Sequence, residues 1–234
     1  MGANKTVHPF QILYEDNHLL IVDKPAGWIV QGAQPDQRSL LEEARGYIKA
    51  KYDKPGDVYL GVVSRLDAPV TGVVPFARTS KAAARLSEQF RERAAQKSYV
   101  ALVEGVPQNH SGRLEHDLLR APDAAITRVA RPGVRDTLHA ILEYDVVRSE
   151  AGMSLLQIEL ITGRKHQIRC QLAAMGWPIA GDRLYGARQG FPHGIALHCR
   201  QLVLQHPTTK QKIEIDAPLP PYWPAWTKQG YSKK

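Results

Sequence analysis

Tyr59-Leu60-Gly61-Val62-Val63-Ser64-Arg65-Leu66-Asp67-Ala68-Pro69-Val70-Thr71-Gly72-Val73-Val74-Pro75-Phe76-Ala77 sets a polar loop between two β-rich apolar runs, 59–63 and 73–77. Runs of that kind on either side of a turn predict strands that bracket the loop. A carboxylate in such a loop can be held rigidly while it faces a cleft, and Arg65 brings positive charge to the same mouth. Aspartates at these places also cap turns or face solvent, so the loop by itself leaves both readings of Asp67 open.

Upstream, residues 12–14 and 19–22 read as a strand pair around the polar turn Glu15-Asp16-Asn17-His18, closed by Lys24-Pro25-Ala26-Gly27. Ser39 stands three positions before Glu42, the spacing of a capping box, and Leu40, Leu41, Ala44 and Ile48 share one helical face. A helix over 40–51 follows. Downstream, Thr79 or Ser80 caps a second helix that turns Ala83, Leu86 and Phe90 inward and carries Arg85, Arg91 and Arg93 on its other face. Tyr99-Val100-Ala101-Leu102-Val103 is apolar on both faces and reads as an interior strand.

Residues 120–136 break periodicity at Pro122, Pro132 and Gly133 and carry Arg120, Arg128, Arg131 and Arg135, which reads as a mobile basic loop. Residues 137–147 and 154–161 predict antiparallel strands joined at Glu150-Ala151-Gly152. Residues 166–175 have helical spacing at Ile168, Leu172 and Met175, ending at Gly176. Strands over 197–204 and 212–215, around His206-Pro207-Thr208-Thr209, complete a sheet. Because strands come mainly in hairpins with few helices between them, the pattern predicts an α+β fold rather than a doubly wound one. No repeat or linker interrupts it.

The 234 residues carry 31 Lys and Arg against 23 Asp and Glu, a formal charge of +8, which favours a polyanionic partner. With 43% hydrophobic and 23% charged residues the chain has the composition of a folded globular protein. No apolar segment reaches the roughly 18 residues of a membrane span, and the first residues lack a secretory core, so a cytoplasmic protein is expected. Cys170 and Cys199 have neither disulfide nor zinc spacing and are expected to be small buried apolar residues.

Three polar signatures remain: Arg65-Leu66-Asp67, Lys97-Ser98-Tyr99, and Thr162-Gly163-Arg164-Lys165-His166-Gln167-Ile168-Arg169, the last followed by Gly181-Asp182-Arg183-Leu184-Tyr185-Gly186. Together with Ile12-Leu13-Tyr14-Glu15-Asp16 and Lys24-Pro25-Ala26-Gly27, and in this order along nearly the whole chain, they resemble the RluA-like RNA pseudouridine synthases. The resemblance implies a single pseudouridine-synthase-like catalytic domain over about 10–220 with short terminal extensions. Its fold would be two-lobed, with a mixed, mainly antiparallel sheet and a central cleft. The chain is expected to begin directly at the catalytic domain, without the small S4-like module that many relatives carry.

The activity implied is isomerisation of uridine to pseudouridine in ribosomal or transfer RNA, without cofactor or metal, by a chain expected to be a monomer with no obligate protein partner. Asp67 matches the family's catalytic aspartate, Arg169 the arginine paired with it, and Tyr99 the active-site tyrosine. Arg65 takes the place of the side chain that fills the RNA when the uridine is flipped out, and Arg164, Lys165, His166 and Arg183 become RNA or structural contacts. His166 is expected to bond within the fold and Gln167 to orient its loop. The chain departs from the family in Ser64, where His is usual, and in Val70-Thr71-Gly72, where Thr-Ser-Gly is usual. A catalytically silent RNA-binding or RNA-folding factor on the same scaffold is the alternative. A metal-dependent nuclease would need clustered acidic or His ligands, which do not surround Asp67 in sequence.

Overall fold

The computed structural model describes residues 9–32, 39–120 and 126–228. In chain order these form β1 (Gln11–Glu15), β2 (Leu19–Lys24), α1 (Leu40–Lys51), β3 (Gly61–Val62), β4 (Thr71–Ala77), α2 (Ser80–Arg91), β5 (Gln96–Glu104), β6 (Ser111–Leu119), β7 (Arg128–Val129), β8 (Leu138–Glu150), β9 (Met153–Leu160), α3 (Gln167–Ala174), β10 (Leu197–Gln205) and β11 (Lys212–Asp216). The elements fall into two compact units, one of Met1–Ala95 with Val203–Ala217, the other of Gln96–Leu202 with Pro218–Lys234. β10 gives residues 197–202 to the second unit and 203–205 to the first.

In the first unit β2 pairs antiparallel with both β1 and β4, and β3 pairs antiparallel with β4. Leu19, Leu20, Ile21 and Val22 are wholly buried, as expected of a strand paired on both sides and covered on both faces. The turn before them is built by Asp16, whose Oδ1 accepts from the amides of His18 and Leu19, each at 2.7 Å. α1 has the expected bounds. Its Ser39 cap accepts from the Glu42 amide, and Leu40, Leu41, Ala44 and Ile48 are buried, together with Tyr47. Thr79 caps α2 by accepting from the Ala82 amide at 3.1 Å. The basic face of α2 is partly engaged within the fold, since Arg85 donates to the Pro207 carbonyl and Arg91 pairs with Glu88.

In the second unit the strand order is β10-β5-β9-β8-β6-β7. β5, β9, β8, β6 and β7 join in antiparallel pairs. The β8–β9 turn is tight because Ala151 and Gly152 both take positive φ, 51° and 76°. β5 is interior, with residues 99–103 all buried.

Four expectations are corrected. The first strand of the Asp67 hairpin is only Gly61–Val62, and Tyr59, outside it, is half exposed. Residues 111–119 form β6, a strand with a weak apolar alternation, because only Leu114 and Leu118 of its inward positions are buried apolar residues. Within the basic stretch 120–136, Arg128–Val129 form β7 against Leu118 and Leu119, whereas Pro122 lies outside the described residues. The third helix is Gln167–Ala174 rather than 166–175: His166 has left-handed backbone (φ 55°), and Met175, which shares the spacing of Ile168 and Leu172, is 40% exposed beyond the helix end.

α3 is held to its sheet by amides as much as by apolar packing. Buried Gln167 donates to the Ile141 carbonyl at 3.0 Å, and buried Gln171 donates to the Leu114 and Ala140 carbonyls, both at 3.2 Å. Both cysteines are buried, as expected. No helix among the described residues is long and apolar enough to cross a membrane.

Candidate active site

In the first unit, residues 63–70 connect β3 to β4 and carry Arg65 exposed, Leu66 buried and Asp67 half-buried. The buried Leu66 anchors the loop between two polar neighbours. The Asp67 carbonyl accepts from the Val70 amide at 3.0 Å, closing a turn through Ala68-Pro69. The next carbonyl, that of Ala68, accepts from the Gly27 amide at 2.8 Å and from Lys24 Nζ at 2.9 Å.

Lys24 is fully buried at the end of β2, and its Nζ also donates to the Pro25 and Trp28 carbonyls at 3.0 and 2.8 Å. An ammonium has three N–H groups for these three carbonyls, whereas a neutral amine has two. One side chain therefore ties residues 25–28 to the backbone next to Asp67. Burial pushes the Lys24 ammonium down to about 7, against the opposing pull of the Asp67 and Asp23 charges.

In the second unit the Thr162–Arg169 segment is organised by Gln167. Its Oε1 accepts from Thr162 Oγ1 at 2.8 Å and from the Arg164 amide at 3.0 Å, so the loop carrying Arg164 and Lys165 is fixed from below by a buried amide. Arg164 Nε donates to the His139 carbonyl at 3.1 Å. Arg164 and Lys165 are exposed, and His166 is half-buried.

Arg169 is 5% exposed and holds Asp182 through two bonds, Nε to Oδ2 at 2.7 Å and NH2 to Oδ1 at 2.9 Å. The fork-on-fork arrangement compensates two charges buried together. Asp182 is placed by a turn at Gly181, whose φ of +85° and close approach to Phe191 Cβ and the Gly194 carbonyl leave no room for a side chain. Arg183, exposed on the single 3-10 turn Arg183–Tyr185, donates to the Ala187 carbonyl at 3.1 Å. The Arg169 guanidinium lies 4.9 Å from the centre of the Tyr185 ring, and His166 Nδ1 is 2.9 Å from the Tyr185 hydroxyl. Tyr99, on β5 opposite Ile158, is 6% exposed. Burial pushes the Cys170 thiol up to about 11, which keeps it unreactive.

The structure thus gathers His166 and Arg169 around Tyr185 in the second unit, with Arg164 on the adjoining loop, and sets Arg65 and Asp67 on one loop of the first. His166 bonds within the fold and Gln167 orients its loop, as expected. Three residues with a part in these arrangements had no assigned role: Lys24, Asp182 and Tyr185. A lysine closing an apolar run as strong as Leu19-Leu20-Ile21-Val22 was a usable signal of a buried ammonium. Asp182 and Tyr185 stand in the signature Gly181-Asp182-Arg183-Leu184-Tyr185-Gly186, but nothing in the spacing of thirteen positions from Arg169 marks Asp182 as its partner.

The profile of the RNA pseudouridylate synthase family matches residues 18–174. A Bacillus subtilis (strain 168) protein named "Uncharacterized RNA pseudouridine synthase YhcT" is 34% identical over 89% of this chain and 68% of its own. Ribosomal large subunit pseudouridine synthase D of Nitrosomonas europaea is 34% identical over 91% of this chain and 62% of its own, and synthase C of Vibrio vulnificus 34% identical over 89% and 65%. The chain therefore spans less than two thirds of the length of those two ribosomal enzymes. Among solved structures, human RNA pseudouridylate synthase domain containing 4 superimposes with a TM-score of 0.76 at 25% identity, covering 91% of this chain and 89% of that one. The fold, strands in antiparallel pairs with three α-helices among the described residues, is that of these domains. The chain belongs to the RNA pseudouridylate synthase family, whose members are isomerases that convert uridine in RNA to pseudouridine.

Proposed function

We propose that this chain isomerises uridine in a structured RNA, with Asp67 as the reacting carboxylate and large-subunit ribosomal RNA as the first substrate to test. In the reaction the N1–C1′ bond breaks, the uracil turns, a C5–C1′ bond forms, and the proton displaced from C5 passes to solvent as N1 regains one. Atoms and electrons balance with no oxidant or reductant. Asp67 either adds to C1′ or takes a proton from the sugar in an elimination, and both routes use its carboxylate form. The observation that carries this reading is the Asp67 loop itself: a family-pattern aspartate, half-buried, on a turn fixed at the next carbonyl by the fully buried Lys24 ammonium.

Arg169 and Tyr99 take the roles of the family's arginine and tyrosine. A guanidinium supports an ionised carboxylate, and a tyrosine offers a ring to stack on uracil and a hydroxyl for proton transfer. Arg65 is exposed beside Asp67 and fills the space left by the flipped nucleotide, whose extrusion costs a few kcal/mol. Arg164, Lys165 and Arg183, all exposed, contact phosphates. What supports the choice of ribosomal RNA is that two relatives are named for that substrate.

The test is tritium release from ribosomal and transfer RNA labelled at uracil C5, with the native chain and Asp67→Ala. Release by the native chain alone is the expected result. Equal background from both proteins on both RNA pools would overturn the assignment and leave a silent RNA-binding factor in its place.

A further inference from the structure

The Tyr185 hydroxyl brings three polar partners together while its ring faces the Arg169 guanidinium. Its hydroxyl donates to the Thr127 carbonyl at 3.1 Å, accepts from the Thr127 amide at 3.0 Å, and meets His166 Nδ1 at 2.9 Å. A phenol has one proton to give, so all three contacts are hydrogen bonds only when His166 carries its proton on Nδ1. Burial raises the Tyr185 phenol above its ordinary value, the Thr127 backbone and Arg169 pulling the other way, so it remains a donor at neutral pH.

Through that hydroxyl, Tyr185 grips both backbone groups of the residue immediately before β7. Its ring packs with Val129 against the cluster of Leu118, Ala140 and Cys170 and lies under the Arg169 guanidinium. β7 begins at Arg128, which is exposed, and Ala130 continues the pairing by donating to the Asp117 carbonyl at 2.8 Å. The ends of one short segment, Asp182 and Tyr185, therefore hold Arg169 from its charged edge and from its face. Of the two, Tyr185 also holds the residue that leads into the basic strand.

We propose that Asp182 and Tyr185 are positioning residues: Asp182 aims the Arg169 guanidinium, and Tyr185 registers the basic strand Arg128–Val129 with it, so that RNA contact and catalytic charge are set by one network. The inference rests on the isomerase reading for Arg169, but its Tyr185 half concerns RNA binding and can be read separately.

The experiment uses the full chain, an in vitro transcribed large-subunit ribosomal RNA labelled at uracil C5, and the variants Tyr185→Phe and Asp182→Asn. Tyr185→Phe keeps the ring under Arg169 and removes three hydrogen bonds. It is expected to speed hydrogen exchange at the Thr127 amide and weaken RNA affinity, each about tenfold, with the single-turnover rate at saturating protein within about threefold of wild type. Asp182→Asn is expected to reverse the pattern, with affinity within about threefold and the saturated rate down about a hundredfold, the scale of a misplaced catalytic group. If that variant does not fold, Asp182→Glu keeps the carboxylate, displaces it by one methylene and carries the same expectation.

Wild-type exchange and affinity in Tyr185→Phe would overturn the strand-registering role. A wild-type saturated rate in the folded Asp182 variant would overturn the aiming role. Equal losses of affinity and rate in both variants would mark a merely structural network and overturn the proposal. Absence of release by the native chain would fail the isomerase reading and with it the aiming role, while the exchange and affinity measurements would still decide the role of Tyr185.

Discussion

Arg169 and Asp182 form a bidentate pair, 2.7 and 2.9 Å, between side chains that are 5% and 2% exposed. Such a pair contributes less than its Coulomb energy suggests, because both ions lose their water, but breaking it strands a charge. Asp182→Ala is expected to cost about 3–5 kcal/mol in urea unfolding. By contrast, Glu88→Ala, which breaks the exposed Arg91–Glu88 pair on α2, should change stability by less than about 1 kcal/mol. Similar small effects from both variants would show that the buried pair relaxes into solvent.

Asp67→Asn is nearly isosteric, and the turn is closed by the residue's backbone carbonyl. Tritium release by the folded variant is expected to fall by roughly three orders of magnitude or more, as for loss of a reacting group. A variant that keeps a tenth of the native rate would point to a carboxylate that only assists.

Lys24 sets a pH dependence whose sign follows from its burial. In the folded chain it titrates at about 7, against an ordinary 10.5, so between those values the unfolded chain holds the extra proton. Stability from this group is lowest below pH 7 and rises with pH through that window. Compared with Lys24→Met, the native chain should gain up to about 1.4 kcal/mol per pH unit between roughly pH 7 and 9, measured by urea unfolding at each pH. Parallel profiles for the two proteins would mean that the three carbonyls keep the ammonium charged throughout.

Gln167→Leu fills a similar volume but leaves the Arg164 amide, the Thr162 hydroxyl and the Ile141 carbonyl each without the bond that Gln167 makes to it. A loss of about 1–3 kcal/mol of stability is expected. RNA affinity should fall with it, because the loop bearing Arg164 and Lys165 loses its support. Unchanged affinity in the folded variant would separate that loop from RNA contact.

Salt should weaken RNA binding steeply. Three phosphate contacts from Arg164, Lys165 and Arg183, at about −0.7 each in the slope of log K against log salt, give roughly a twentyfold loss between about 50 and 200 mM. Arg183→Ala should flatten the slope by about 0.7. A salt-insensitive titration would contradict a phosphate-based interface.

Local chemistry determined much of this protein before any tertiary contact. Ser39 with Glu42, and Thr79, fix where α1 and α2 begin because a cap bonds only a few residues away. The run Leu19–Val22 is a buried strand because nothing in it tolerates water, and the family motifs around Asp67, Tyr99 and Arg169 are written in consecutive residues. Where the sequence misled, the signal was diluted. β6 buries only two of its nine residues deeply, and β7 is a two-residue strand whose pairing depends on Leu118 opposite Val129 and Leu119 opposite Arg128.

What only the tertiary structure decided are the partnerships between distant residues. Lys24 reaches Ala68 across 44 positions, Tyr185 reaches Thr127 across 58, and Arg169 finds Asp182 across 13. A charge can be buried only where the fold delivers its counter-charge or carbonyls, and no spacing in the chain encodes that delivery. The sequence therefore carries the candidate groups in its motifs, while the packing within each unit decided what holds Lys24, Arg169 and Tyr185 in place.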